Sequence, residues 1–223
     1  MKLKSFGCSF IYGVDLDDII VNNLRIGYSN KTWPALYAKE LNYTYQCYAH
    51  PGVGNLRIAE QVLNQAADTD PALYVIGWTW IDRFDYTKDV HNNLVIDSKW
   101  QTILPVNEDE LAKTYYRDIH SEYRDKLTTL INIKLVIDTL KQKNLSFIMT
   151  CMDDLTFDTR WHSSPAVKEL QKYISPYMTQ FKEKSFLEWS RNHGYPESPH
   201  WHPLEQAHAA AAKYMLELGV YKK

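Results

Sequence analysis

The stretch Lys2-Leu3-Lys4-Ser5-Phe6-Gly7-Cys8-Ser9-Phe10-Ile11-Tyr12-Gly13 decides the fold. Residues 2–6 read as a short, weakly alternating β-run that Gly7 stops. A serine follows two residues later, with another glycine four positions beyond it. Three further β-rich runs come after this one. Residues 43–49 are dense in β-formers and end at Pro51-Gly52. Residues 73–76 are continuously apolar up to Gly77, as a strand buried on both faces should be. Residues 145–150 (Leu-Ser-Phe-Ile-Met-Thr) form the fourth.

Helical patterns fill the intervals. Thr32 is placed to cap a helix through Leu41, with Pro34 in its first turn, where a missing N–H costs nothing. After Asn55, itself the expected cap, Leu56, Ala59, Val62, Leu63 and Ala66 share one helical stripe. Apolar residues at near-helical spacing over 108–141 predict one long helix. The alanine-rich run from Leu204 to Leu218 predicts a last helix, stopped by Gly219. This alternation predicts an α/β protein, a three-layer α/β/α sandwich of flavodoxin-like type with a mostly parallel central sheet. It reads as a single domain over 1–223. Residues 84–106 are the exception. They hold Asn92-Asn93 between extended pieces and predict an inserted hairpin or lid.

Composition narrows the function classes. The 223 residues are 45% hydrophobic and 23% charged, which excludes disorder and fibrous repeats. With 25 basic and 27 acidic residues the net charge is −2, so no footprint for nucleic acid or an anionic membrane is expected. No apolar run approaches the roughly 18 residues of a membrane span, and no apolar core follows the first lysines. The reading is a cytoplasmic protein without signal peptide or transmembrane segment. Cys8, Cys47 and Cys151 are odd in number and widely spaced, as reduced thiols are. The 16 Tyr, 7 Trp and 7 Phe are too many for a core alone, so some should line a cleft.

In an open parallel sheet, ligands bind at the carboxyl ends of the strands. There the chain offers Gly7-Cys8-Ser9, Gly52-Val53-Gly54-Asn55, Gly77-Trp78-Thr79-Trp80 and Asp153-Asp154, with His200-Trp201-His202-Pro203 before the last helix. A serine, turns with free amides, a hydroxyl and a histidine are the parts needed for acyl transfer.

On these residues the chain resembles the SGNH (GDSL-like) hydrolase superfamily, and within it the small members of bacterial and phage genomes. Gly7-Cys8-Ser9 with Gly13 matches the first family block. Gly52-Val53-Gly54-Asn55 matches the second loosely, and His202-Pro203 matches the fifth. The resemblance implies the SGNH type of sandwich, Ser9 as nucleophile and His202 as general base. It implies an oxyanion hole built from the Ser9 amide and the second-block turn, where Gly54 and Asn55 stand. The third block usually supplies an asparagine, and Thr79 occupies that position. Trp78 and Arg83 would help bind substrate. The family aspartate three residues before the histidine is replaced by Pro199, so Glu197, Asp153, Asp154 or a backbone carbonyl would orient the ring, with Glu197 the nearest carboxylate.

The reading is a serine hydrolase cleaving an acetyl or short acyl ester, on a saccharide or similar small molecule, with no cofactor. The alternative is a binding or accessory protein of the same fold that has lost the triad acid. A flavodoxin-like nucleotide binder is disfavoured because Gly7–Gly13 lacks a P-loop lysine. His200, His202 and His208 raise the question of a metal, but no carboxylate or cysteine spacing completes the set, and none is expected.

Overall fold

The computed structural model describes residues 1–21, 24–25, 27–68, 71–92, 95–182 and 184–219. Its first strand, β1 (Lys2–Phe6), runs into the single-turn helix α1 (Ser9–Tyr12). Two short strands, β2 (Ile20–Val21) and β3 (Leu24–Arg25), pair antiparallel before α2 (Trp33–Glu40). There follow β4 (Thr44–Cys47), α3 (Asn55–Ala66) and β5 (Ala72–Trp78). An antiparallel ribbon of β6 (Phe84–Asn92) and β7 (Val95–Ile103) interrupts the alternation. The Asn92-Asn93 turn expected there lies partly outside the described residues. Then come α4 (Glu110–Thr114), α5 (Glu122–Gln142), β8 (Ser146–Cys151), α6 (Pro165–Ile174), α7 (Phe186–Asn192) and α8 (Glu205–Leu218).

The central sheet has the order β4-β1-β5-β8, with every pair parallel. The carboxyl ends of all four strands therefore share one edge. β5 is buried at all seven positions, which explains its unbroken apolar run. Helix α2 packs on α8, and α3 and α6 pack on α5, so helices cover the sheet on both sides. Leu3, Phe6, Leu73, Ile76, Phe147 and Met149 are fully excluded from water between them. Each such side chain contributes about 1.5–3 kcal/mol relative to exposure.

Two local expectations change. The predicted long helix over 108–141 is broken: α4 runs into a π-helical turn at Tyr115–Ile119, and the chain turns extended at His120. Ser121 then starts α5 afresh, its hydroxyl accepting the Arg124 N–H at 3.3 Å. A capping serine inside an apolar periodicity outweighs the periodicity. The second change is at α3, where the N-cap is Gly54 and Asn55 is the first helical residue.

Candidate active site

Gly7 leaves β1 with φ of 154°, and a Cβ there would stand 2.9 Å from the Gly77 carbonyl and 2.6 Å from Ile11. This close approach brings Cys8, buried at the N-cap of α1, and Ser9, its first residue, against the end of β5. The helix closes at Gly13, which is left-handed (φ 82°) and donates to the Ser9 carbonyl at 2.8 Å. The reversal carries Asp15 back toward the turn before α8, where it meets Ser198 and His202. Asp15 is itself left-handed, at φ 72°.

At the other end of the chain, Ser198 organises the turn before α8. Its Oγ accepts the N–H groups of His200 and His202, each at 3.2 Å. It also donates to Asp15 Oδ2 at 2.7 Å. His202 lies with Nδ1 2.8 Å from the same Asp15 oxygen and Nε2 3.0 Å from Ser9 Oγ. An ionised carboxylate only accepts, so Nδ1 carries the proton and Nε2 is left to accept from the Ser9 hydroxyl. Burial works against the Asp15 charge. The hydrogen bonds from His202, Ser198 and His200 outweigh it, and the carboxyl lies below its usual value. The ring of Phe10 packs edge-on against His202, with centroids 5.1 Å apart, and holds it from the side.

Glu197 is not the partner of His202. Its two oxygens take the Arg191 guanidinium at 2.8 and 3.1 Å, and its backbone bridges Pro203. Asp153 and Asp154 are also elsewhere. Asp153 accepts the Ile81 and Leu155 amides and caps a short turn, while Asp154 lies in a neighbouring cavity beside Glu188. The sequence reading missed Asp15 and Ser198.

The expected oxyanion donors are rearranged. The Gly54 N–H is taken by Asp85 Oδ1 at 2.8 Å. The Asn55 side chain is buried: its Nδ2 donates to the Thr79 carbonyl at 3.1 Å and to Thr129 Oγ1 at 3.2 Å, and its Oδ1 accepts the Thr79 N–H at 2.8 Å. Thr79 is fully buried, and its hydroxyl has no hydrogen-bond partner among the described residues. Neither side chain faces the serine's cavity. The backbone amides of Ser9 and Asn55 are first-turn N–H groups, which their own helices leave open.

Ser9, Phe10 and His202 line a cleft of about 520 Å³ with Trp80, Arg83, Leu104, Pro105, Val106, Leu187 and Trp201 among its walls. Trp78 is not among them. It alternates inward on β5 and is fully buried, and Trp80 takes its place at the cleft. Arg83 lies over the Trp80 ring at 4.8 Å and donates to the Val53 carbonyl at 3.1 Å. His208 stands apart in the core. It accepts the Trp33 N–H at Nδ1, and burial pushes its pKa down to about 3.

Solved structures align along nearly the whole chain. One is a lipolytic G-D-S-L family protein from Veillonella parvula, at 13% identity over 98% of this chain and 97% of that one, with a TM-score of 0.52. Another, from Desulfitobacterium hafniense and described as a putative lipolytic protein of that family, aligns at 11% identity over 97% and 98%, also at 0.52. The fold is that of the G-D-S-L hydrolases. A carbohydrate esterase shares it too, at 15% identity over 97% of this chain and 67% of that one, with a TM-score of 0.54. No family model matches the sequence, and no curated protein matches it. Among the described residues no helix is long and apolar enough to cross a membrane.

Proposed function

We propose that the protein is a serine ester hydrolase in which Ser9, His202 and Asp15 act as a triad. The observation that carries this reading is the continuous relay of Ser9 Oγ, His202 Nε2, His202 Nδ1 and Asp15 Oδ2 at 3.0 and 2.8 Å, opening on a cleft. Ser9 Oγ attacks the ester carbonyl carbon as its proton passes to Nε2. The carbonyl oxygen becomes an oxyanion, held by the amides of Ser9 and Asn55. One such donor is worth about 10²–10³ in rate. When the intermediate collapses, Nε2–H gives its proton to the departing alkoxide and leaves an acyl-Ser9. Water, deprotonated by Nε2, then repeats the attack and frees the acid and the serine.

The alternative of a binding protein rests on the missing aspartate before the histidine. Asp15, 2.8 Å from His202 Nδ1, supports the catalytic reading against it, while the altered donors at Gly54, Asn55 and Thr79 are what still favours the alternative. The substrate we propose is an acetyl or short acyl ester, with a saccharide as the alcohol half. Supports are the aromatic walls at Trp80 and Trp201, which suit the apolar face of a sugar ring, and the shared fold of a carbohydrate esterase.

A fluorophosphonate probe tests the chemistry without knowledge of the substrate. The expected result is one covalent adduct per chain, mapped to Ser9 by mass spectrometry and absent in Ser9→Ala. No adduct at pH 8 with probes of several sizes, or an adduct elsewhere, overturns the reading.

A further inference from the structure

Helix α3 begins at the turn whose Asn55 amide the mechanism proposed above uses, yet it has no side-chain cap of its own, because its N-cap is Gly54. A carboxylate from another element stands there instead. Asp85, on β6 of the ribbon, accepts the Gly54 N–H at Oδ1 (2.8 Å) and the Arg57 N–H at Oδ2 (2.9 Å). Within a helix these two bonds belong to a capping box, in which the N-cap side chain takes the third helical amide and the third residue's side chain takes the N-cap amide. Here one residue provides both, from outside.

The fit is tight. A Cβ on Gly54 would lie 2.6 Å from Asp85 Oδ2 and 2.9 Å from the Arg83 carbonyl, so only glycine admits the carboxylate. Thr102 on β7 donates to Asp85 Oδ1 at 2.6 Å and fixes it from the ribbon side. Two residues earlier, Arg83 donates to the carbonyl of Val53 at 3.1 Å. The ribbon and the residue just before it thus hold both poles of the turn, its carbonyl by the Arg83 guanidinium and its amides by the Asp85 carboxylate.

We infer that Asp85 is a positioning residue for catalysis, and that the 84–103 ribbon is a clamp on the oxyanion turn. Capping in trans occupies the Gly54 and Arg57 amides and leaves the Asn55 amide for substrate. The role rests on the hydrolase reading above. It also runs against simple electrostatics, because a carboxylate near a developing oxyanion should slow the reaction. The sign of the effect therefore separates the two.

The test is Asp85→Asn, which keeps the shape but sets an NH₂ against one of the two amides. Hydrolysis of p-nitrophenyl acetate and the rate of fluorophosphonate labelling are measured beside amide hydrogen exchange. The clamp predicts kcat and labelling rate lower by at least about tenfold, KM within about twofold, and faster exchange at Gly54 and Arg57. An unchanged or raised kcat in a labelled, folded variant overturns the clamp and leaves the hydrolase reading standing. If wild type itself takes no probe, the hydrolase reading fails and catalytic positioning fails with it. Should Asp85→Asn not fold, exchange in the wild type decides. Gly54 and Arg57 are expected to be protected at least about tenfold over Asn55, and equal exchange contradicts the trans cap.

Discussion

Asp15 gathers three hydrogen bonds on one oxygen, from His202, Ser198 and His200, and these keep its carboxyl ionised below the usual carboxylate range. Its own titration therefore lies well below neutrality and contributes nothing to activity changes between pH 5 and 8. Protonating Nε2 of His202 removes the acceptor that Ser9 needs, so kcat/KM is expected to fall on acidification. A flat or rising profile on acidification counts against His202 as base. Glu197, committed to Arg191, is expected to matter little. Glu197→Gln should label with fluorophosphonate within about twofold of wild type, and a hundredfold loss would return the orienting role to it. Ser9 and His202 were legible because each sits beside a glycine or proline that marks a turn after a strand or before a helix. Asp15 was not, since no spacing rule ties an acid six residues past a serine to a histidine near the other terminus. The left-handed Gly13 that makes the link shows only in three dimensions.

The helix starts show where local signals suffice and where they fail. Thr32 and Pro34 mark α2, and Gly219, left-handed at φ 59°, stops α8 as its sequence indicates. Ser121 splits the predicted long helix, a signal present in the sequence but overridden in reading by the apolar period on either side. At α3 the sequence offers Asn55 as the cap, but the N-cap is Gly54 and the capping carboxylate comes from Asp85 some thirty positions away. His208 on α8 reads as one of three neighbouring histidines, but its ring joins the first amide of α2 to the Pro203 carbonyl. Burial keeps it neutral down to about pH 3, whereas an unfolded histidine takes a proton near pH 6.5. Below that value the unfolded chain binds more protons, so this contribution is whole above pH 6.5 and shrinks as pH falls toward 3. At pH 5 the loss is about 2 kcal/mol, or roughly 4–8 °C in Tm for a chain of this size. Thermal melts at pH 7 and pH 5 check it. His208→Gln should start less stable and lose less on acidification, and equal losses would contradict the buried neutral ring.

The alternation of strand and helix contained the sheet class, and the parallel order β4-β1-β5-β8 explains why turns far apart in sequence share one edge. It did not contain the side-chain partners within that edge. Those depend on ångström-scale choices such as the pairing of Arg191 with Glu197 and of Asn55 with the Thr79 backbone. α6 and α7 also went unread, although Ser164 with Pro165 and Ser185 with Glu188 mark their starts. What the fold achieves is to bring residues 9 and 15 against residues 198–202. The direct measurement of that junction is the rate of fluorophosphonate labelling at Ser9 in wild type and in Asp15→Asn. Loss of the carboxylate frees the imidazole to take the wrong tautomer, which in a comparable triad costs about 10⁴. A fall of about 10³-fold or more, with the adduct still on Ser9, is the expected result. A rate within threefold of wild type would contradict the triad.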